Sequence, residues 1–111
     1  MKILVYNENE KSRLVVGQLL KELSFSVILA DSEEKLFEEL KTESIDLVIL
    51  DVNSFDNFAD VISDVLKYKK DSYVLLSIQN DDRYSKTEAL LKGIDDYIYN
   101  DFRLEELSAK I

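Results

Sequence analysis

Apolar residues recur along the chain at two spacings that alternate. The run KILVY, Lys2–Tyr6, is aliphatic in character and reads as a strand, and the polar stretch NENEKSR behind it supplies capping residues. From Glu10 the period changes: Val16, Leu19, Leu20 and Leu23 fall at i, i+3, i+4 and i+7, which places them on one face of a helix. A second apolar run, Phe25–Ala30, is followed by DSEE from Asp31, which predicts a capping box opening a helix that carries Leu36, Phe37 and Leu40. Leu47–Leu50 is the third run, and Phe58, Val61, Ile62, Val65 and Leu66 form the stripe of a third helix. Tyr73–Ile78 and Tyr97–Tyr99 read as strands four and five, with Ala89, Leu90 and Leu91 in the helix between them. Leu104, Leu107 and Ile111 mark a last helix.

Runs that are apolar throughout, rather than alternating, are expected of strands covered on both faces, hence of a parallel sheet. Right-handed crossovers then predict one doubly wound α/β domain spanning residues 1–111. There is no repeat, low-complexity tract or linker. With no proline and only Gly17 and Gly93, the loops are poor in turn residues. Ile111 falls on the buried face of the last helix, which predicts that the polypeptide was cut from something longer.

Composition narrows the function. A chain of 111 residues with 46% hydrophobic content supports one core and no second domain. Cysteine and histidine are both absent, which excludes disulfides, thiol chemistry, His-based acid–base catalysis and the usual zinc ligand sets. A net charge of −9 repels phosphate backbones, so no direct nucleic-acid binding is expected of this domain. No apolar run reaches membrane-spanning length, and a cytoplasmic domain is the expectation.

The candidate chemistry centres on DLVILDVNSFDNF, Asp46–Phe58, where a buried strand runs straight into Asp51. By itself that carboxylate is open to three readings: a turn residue, a metal ligand or a phosphate acceptor. In open α/β sheets, ligands bind beyond the carboxyl ends of the central strands. Strand one there ends in Asn7 and Glu8, strand three in Asp51, strand four in Ser77 and strand five in Asn100, which predicts one small polar site. Glu8 and Asp51 could share a hard divalent cation with a backbone carbonyl near Asn53, an arrangement that favours Mg²⁺. An acid-rich site repels phosphate unless a cation bridges the two, so metal dependence follows from the charges.

MKILVYNENEKSR, DLVILD and KGIDDYIYNDFRLEEL resemble, in order and spacing, the start, middle and end of a response-regulator receiver domain, over nearly the whole chain. The resemblance implies a flavodoxin-like (βα)5 fold with strand order 2-1-3-4-5. It implies that Asp51 is the phosphoryl acceptor, that Asn7 and Glu8 hold the acidic-pocket positions, and that Ser77 and Tyr97 are the hydroxyl and aromatic switch residues. It implies a histidine kinase as partner and Mg²⁺ as cofactor, with Glu8, Asp51, Asn53 and Asn7 at the metal positions, and a signalling rather than an enzymatic role. In the subfamily that drives winged-helix transcription factors, receivers dimerise through the fourth helix, fifth strand and fifth helix. Lys86, Asp96, Glu106 and Lys110 match that pattern, pairing Lys86 with Glu106 and Asp96 with Lys110 across a two-fold axis.

The departures from the family are chemical. Its first pocket acid is Asn7 here, its strand-five lysine and the following proline are Asn100 and Asp101, and VNSFDNF lacks its Met-Pro pair and glycine. Phosphoryl transfer relies on fixed positive charge beside the developing oxyanions. Asn100 offers a neutral hydrogen bond, roughly half as strong as a charge-assisted one. These losses predict an atypical receiver, impaired in phosphorylation or independent of it. The alternatives are a conventional Mg²⁺-dependent receiver and a purely structural dimerisation or docking module. A flavin-binding flavodoxin is disfavoured because acidic NENE stands where a phosphate loop is needed. An Asp-nucleophile phosphatase is disfavoured because Asp56 is a poor match to the second catalytic acid.

Overall fold

The computed structural model describes residues 1–51, 58–78, 93–99 and 109. In chain order these form β1 (Lys2–Tyr6), α1 (Glu10–Glu22), β2 (Ser26–Ala30), α2 (Glu33–Thr42), β3 (Leu47–Asp51), α3 (Phe58–Tyr68), β4 (Tyr73–Ile78) and β5 (Asp96–Tyr99). The five strands make one parallel sheet in the order β2-β1-β3-β4-β5. That is the expected doubly wound fold. The helices expected around Ala89–Leu91 and Leu104–Ile111 lie outside the described residues.

Side-chain alternation along the strands builds two cores. Ile3 and Val5 of β1, Leu47 and Ile49 of β3, Leu75 of β4 and Ile98 of β5 share a cluster with Val16 and Leu20 of α1. Leu4 and Tyr6, Val48 and Leu50, and Val74, Leu76 and Ile78 face the other way, into a larger cluster with Leu36 and Leu40 of α2 and Val61, Ile62 and Val65 of α3. The period of two therefore sorts every strand residue to one helical layer or the other. Phe37 and Tyr68 meet edge to face at 6.2 Å across α2 and α3, with the Lys41 ammonium 4.7 Å from the Tyr68 ring centre.

Several boundaries differ from the sequence expectation, each for a local reason. The cap of α2 is Ser32, not Asp31: the Ser32 hydroxyl accepts from the Lys35 amide at 3.2 Å. β2 begins at Ser26 and is half-buried, because it is an edge strand covered fully on neither face. β3 includes Asp51, paired in register with Ser77. α1 ends in a Schellman turn, with the Phe25 amide on the Leu20 carbonyl and the Ser24 amide on the Lys21 carbonyl. Ser24 adopts φ 67° there, a left-handed conformation usually given to glycine, and Lys70 repeats this at φ 57° after α3. The scarcity of glycine thus leaves its mark in two strained turns. Gly17 has a different use: a Cβ there would come within 3.2 Å of the Leu29 side chain, so its absence lets α1 lie close on β2.

Candidate functional site

The strand alternation that builds the α1-side core also builds the site. Asn7 continues the row Ile3–Val5, Asp51 continues Leu47–Ile49, and Ser77 follows Leu75. Each polar residue replaces the next apolar one at the carboxyl end of its strand, so the row turns from core to pocket within a single residue step. Asn7, Asp51 and Ser77 are all buried, at 5%, 8% and 7% exposure. With Val5, Tyr6, Ser12, Val16 and Ile49 they line a cavity of about 10 Å³, room for about one water-sized sphere.

Asn7 is fully engaged. Its side-chain nitrogen donates to Ser12 Oγ at 2.9 Å, and its side-chain oxygen accepts from the Asn9 amide at 2.9 Å. Its backbone amide donates to Ala30 and its carbonyl accepts from Arg13 Nη1 at 2.9 Å. Asn9 in turn caps α1, accepting from the Ser12 amide at 2.9 Å. These bonds lock the loop from β1 into α1, and they turn the positive end of the helix toward the pocket wall.

Glu8 occupies the opposite row. It follows Tyr6 by two residues, on the side of α2 and α3, and it is exposed. The fully buried Tyr6 donates its hydroxyl to Glu8 Oε2. Burial pushes the Tyr6 phenol far above its ordinary pKa, and the charges of Glu8, Glu33 and Asp51 push it the same way, so the hydroxyl keeps its proton. Tyr97 is half-buried against the α2–α3 core, one residue after Asp96, whose carboxylate accepts from the Tyr97 amide at 2.8 Å.

The structure thus brings Asn7, Asp51 and Ser77 together at one cavity, while Glu8 is bonded to Tyr6 and does not line that cavity. Asn53 and Asn100 lie outside the described residues, as do Lys86, Glu106 and Lys110 of the expected dimer face. Among the described residues no three acidic, His or Cys side chains are placed to hold a metal ion together. Tyr6, Ser12 and Arg13 are the contributors that sequence reasoning passed over. Tyr6 was legible in principle, since two residues from Glu8 in an extended segment means the same side. Ser12 reaches the pocket, and Arg13 the Asn7 carbonyl, only through the turn into α1, which no linear spacing reveals.

A buried carboxylate thus ends the central strand of a 2-1-3-4-5 sheet, in register with a hydroxyl on the next strand. The chain belongs to the response regulator receiver domain family, which it matches over residues 3–111. It is 28% identical to the alkaline phosphatase synthesis transcriptional regulatory protein PhoP of Bacillus subtilis, over 99% of this chain and 46% of that protein. The chain spans about half the length of the curated relatives it matches. The fold also superposes on the receiver domain of Ssk1 from Saccharomyces cerevisiae, co-crystallised with the histidine phosphotransfer protein Ypd1. There the TM-score is 0.85 at 18% identity, over 100% of this chain and 86% of that one. A response regulator from Burkholderia pseudomallei, containing a phosphorylated aspartic acid, a calcium ion and citrate, gives 0.81 at 18% identity, over 97% and 64%.

The donors at the pocket fit a hard cation in kind. Glu8 and Asp51 are carboxylates, and Mg²⁺ is commonly held by one or two carboxylates, with water and phosphate oxygens completing the shell.

Proposed function

We propose that this chain is the receiver module of a transcriptional response regulator in which phosphorylation of Asp51 is impaired and self-association carries the output. The observation that supports this reading most is Asn7. At the position of the family's first pocket acid stands a buried amide, its polar atoms all committed to Ser12, Asn9, Ala30 and Arg13. Such a residue brings no charge to attract a cation, and Glu8 and Asp51 are left as the pocket's acids.

In this reading Asp51 attacks the phosphorus of a phosphohistidine or small acyl phosphate. The new O–P bond forms as the bond to the leaving group breaks, and the leaving group departs with the electron pair. Ser77, in register with Asp51, donates its hydroxyl to a phosphoryl oxygen, and Tyr97 on β5, half-buried on the α2–α3 side of the sheet, is the aromatic switch. Asn100 supplies a neutral donor where the family uses lysine. Mg²⁺, held weakly by Glu8 and Asp51 with help from residue 53, would neutralise charge on the phosphoryl oxygens. The donor of the phosphoryl group is a histidine kinase or phosphotransfer protein, the kind of partner with which Ssk1 is co-crystallised. The module is a substrate and switch rather than an enzyme. It works in the cytoplasm, and nucleic acid is bound by another part of the parent protein. Among the described residues no helix is long and apolar enough to cross a membrane.

Titration with Mg²⁺ and beryllofluoride, followed by backbone amide shifts, tests the pocket. The expected result is weak Mg²⁺ shifts near Glu8 and Asp51 and little beryllofluoride response. Complete conversion at stoichiometric beryllofluoride would establish a conventional switch instead.

The dimer is tested separately. Asp96 opens β5 and is half-buried, at the edge of the described sheet. In the full-length parent, without phosphate, sedimentation should show a dimer that Asp96→Lys weakens and added Lys110→Asp restores. Exposed ion pairs are each worth up to about 1 kcal/mol, so the change in Kd should be about fivefold and most affinity must come from apolar packing. A monomer throughout, or no response to Asp96→Lys, rules this face out.

A further inference from the structure

A second cavity lies between α2 and α3. It measures about 230 Å³ and is lined by Phe37 and Lys41 of α2 and by Asp64 and Tyr68 of α3, none of which lines the cavity at Asp51. We propose that this groove binds a free α-amino acid with an aromatic side chain, its carboxylate on Lys41, its ammonium on Asp64 and its ring against Phe37 and Tyr68. The site is independent of the phosphorylation pocket and goes beyond the function proposed for it.

Size limits the class of ligand. Sites for drug-sized molecules run to about 300–1,000 Å³, so a groove just below that range suits a ligand of amino-acid size. The walls then set the chemistry. Phe37 and Tyr68 meet edge to face at 6.2 Å, and both are half-buried against the α2–α3 core, which holds the pair in place. A third aromatic ring adds to such a pair by the same edge and offset contacts. The Lys41 ammonium lies 4.7 Å from the Tyr68 ring centre and that of Lys67 lies 5.4 Å from it. Two cations thus converge on one ring in a chain of net charge −9, and they draw a carboxylate to this groove.

Among the described residues Lys41, Lys67 and Asp64 have no ion-pair partner, and Glu39 on the same helix as Lys41 is taken by Lys35. Lys41 and Asp64 therefore flank one groove from two helices without pairing with each other, and both are exposed there. A singly charged ligand answers one of them and leaves the other. A molecule with its carboxylate and ammonium on one carbon, and an aromatic body beside them, answers all four walls. The head-group contacts are exposed, so each contributes up to about fivefold in affinity. A ligand of this size then reaches a Kd of about 1 mM.

The test is an amide-shift titration of the whole chain with L-phenylalanine. Beside it stand phenethylamine, which lacks the carboxylate, phenylpropionate, which lacks the ammonium, and glycine, which lacks the ring. Phenylalanine should give saturable shifts at Phe37, Lys41, Asp64 and Tyr68, and each analogue should bind at least about threefold more weakly. Lys41→Gln should weaken phenylalanine about fivefold while leaving phenethylamine within about twofold. Asp64→Asn should weaken phenylalanine by a similar factor while leaving phenylpropionate within about twofold. Both positions are exposed, so both variants should keep the fold, and their amide spectra report it. Three results would overturn the proposal. The first is no saturation by phenylalanine at about 10 mM, ten times the expected constant. The second is saturable shifts centred on other residues. The third is an analogue that binds as tightly as phenylalanine, or variants that weaken every ligand equally or none, which marks unspecific adhesion to an aromatic surface.

Discussion

Asn7→Asp combined with Asn100→Lys is expected to raise the rate at which acetyl phosphate labels Asp51 by about a hundredfold. Both changes restore charge where the developing phosphoryl anion needs it. On the proposed reading a lysine at position 100 would restore the family's fixed cation, and removing one such preorganised donor from an active site costs about 10²–10³ in rate. The aspartate supplies a second pocket carboxylate, which raises the local Mg²⁺ concentration and its occupancy. The pocket can accept Asn7→Asp with little rearrangement. The side-chain oxygen that takes the Asn9 amide is kept, and Ser12 Oγ, which now accepts from the Asn7 nitrogen, need only rotate its hydrogen to donate instead. Labelling is followed with radioactive acetyl phosphate or by phosphate-affinity electrophoresis, with Asp51→Asn in the double background as the zero. A double variant no faster than the wild type would show that Asn7 and Asn100 are not what limits the chemistry.

How much of this was readable beforehand divides along physical lines. The alternation of apolar runs with helical stripes is a property of burial, and burial dominates the fold; hence the five strands, their parallel arrangement and the α1, α2 and α3 faces all emerged from spacing. Where a short-range polar contact decides, spacing was a poorer guide. Asp31 and Ser32 are both good caps, and only the backbone at Ser32 (φ −148°, ψ 160°) lets its hydroxyl reach the Lys35 amide. The strained turns at Ser24 and Lys70 carry no sequence mark, because their residue types belong to helices and surfaces as readily.

The site divides in the same way. Asn7, Asp51 and Ser77 were legible because each is the first polar residue to follow a run of buried apolar ones, at or near the carboxyl end of its strand, and strand ends meet along one edge of a parallel sheet. That the first two lie on the α1 row, and Glu8 on the other, follows from counting by twos. The hydroxyl of Tyr6 was hidden by its surroundings. In KILVY it reads as one more bulky strand residue, and its polar atom matters only once Glu8 is seen folding back over the end of β1. A tyrosine closing an otherwise aliphatic strand, two residues before an acid, is the signal to look for.

The largest effect on the fold itself is expected from Leu50→Ala, a loss of about 4 kcal/mol in unfolding free energy. Leu50 is fully buried in β3, with Tyr6 of β1 on one side of it in register and Leu76 of β4 on the other. Truncating a buried leucine costs about 2.7–5.0 kcal/mol, and the value depends on how far the surroundings collapse into the cavity. Here they collapse little. β3 is hydrogen-bonded on both sides, so its backbone cannot move inward without breaking two ladders, and Tyr6 is tied at its far end to Glu8. Domains of this size have about 5–15 kcal/mol to lose, so the variant should be folded but marginal. Leu14→Ala on α1 is the contrast: its side chain is 54% exposed, and its cost should stay within about 0.5 kcal/mol. Urea unfolding separates the two, with the midpoint falling steeply for Leu50→Ala while the slope is unchanged. A small loss of stability, comparable to that of Leu14→Ala, would mean that the core around β3 is far more plastic than its double-sided ladder implies.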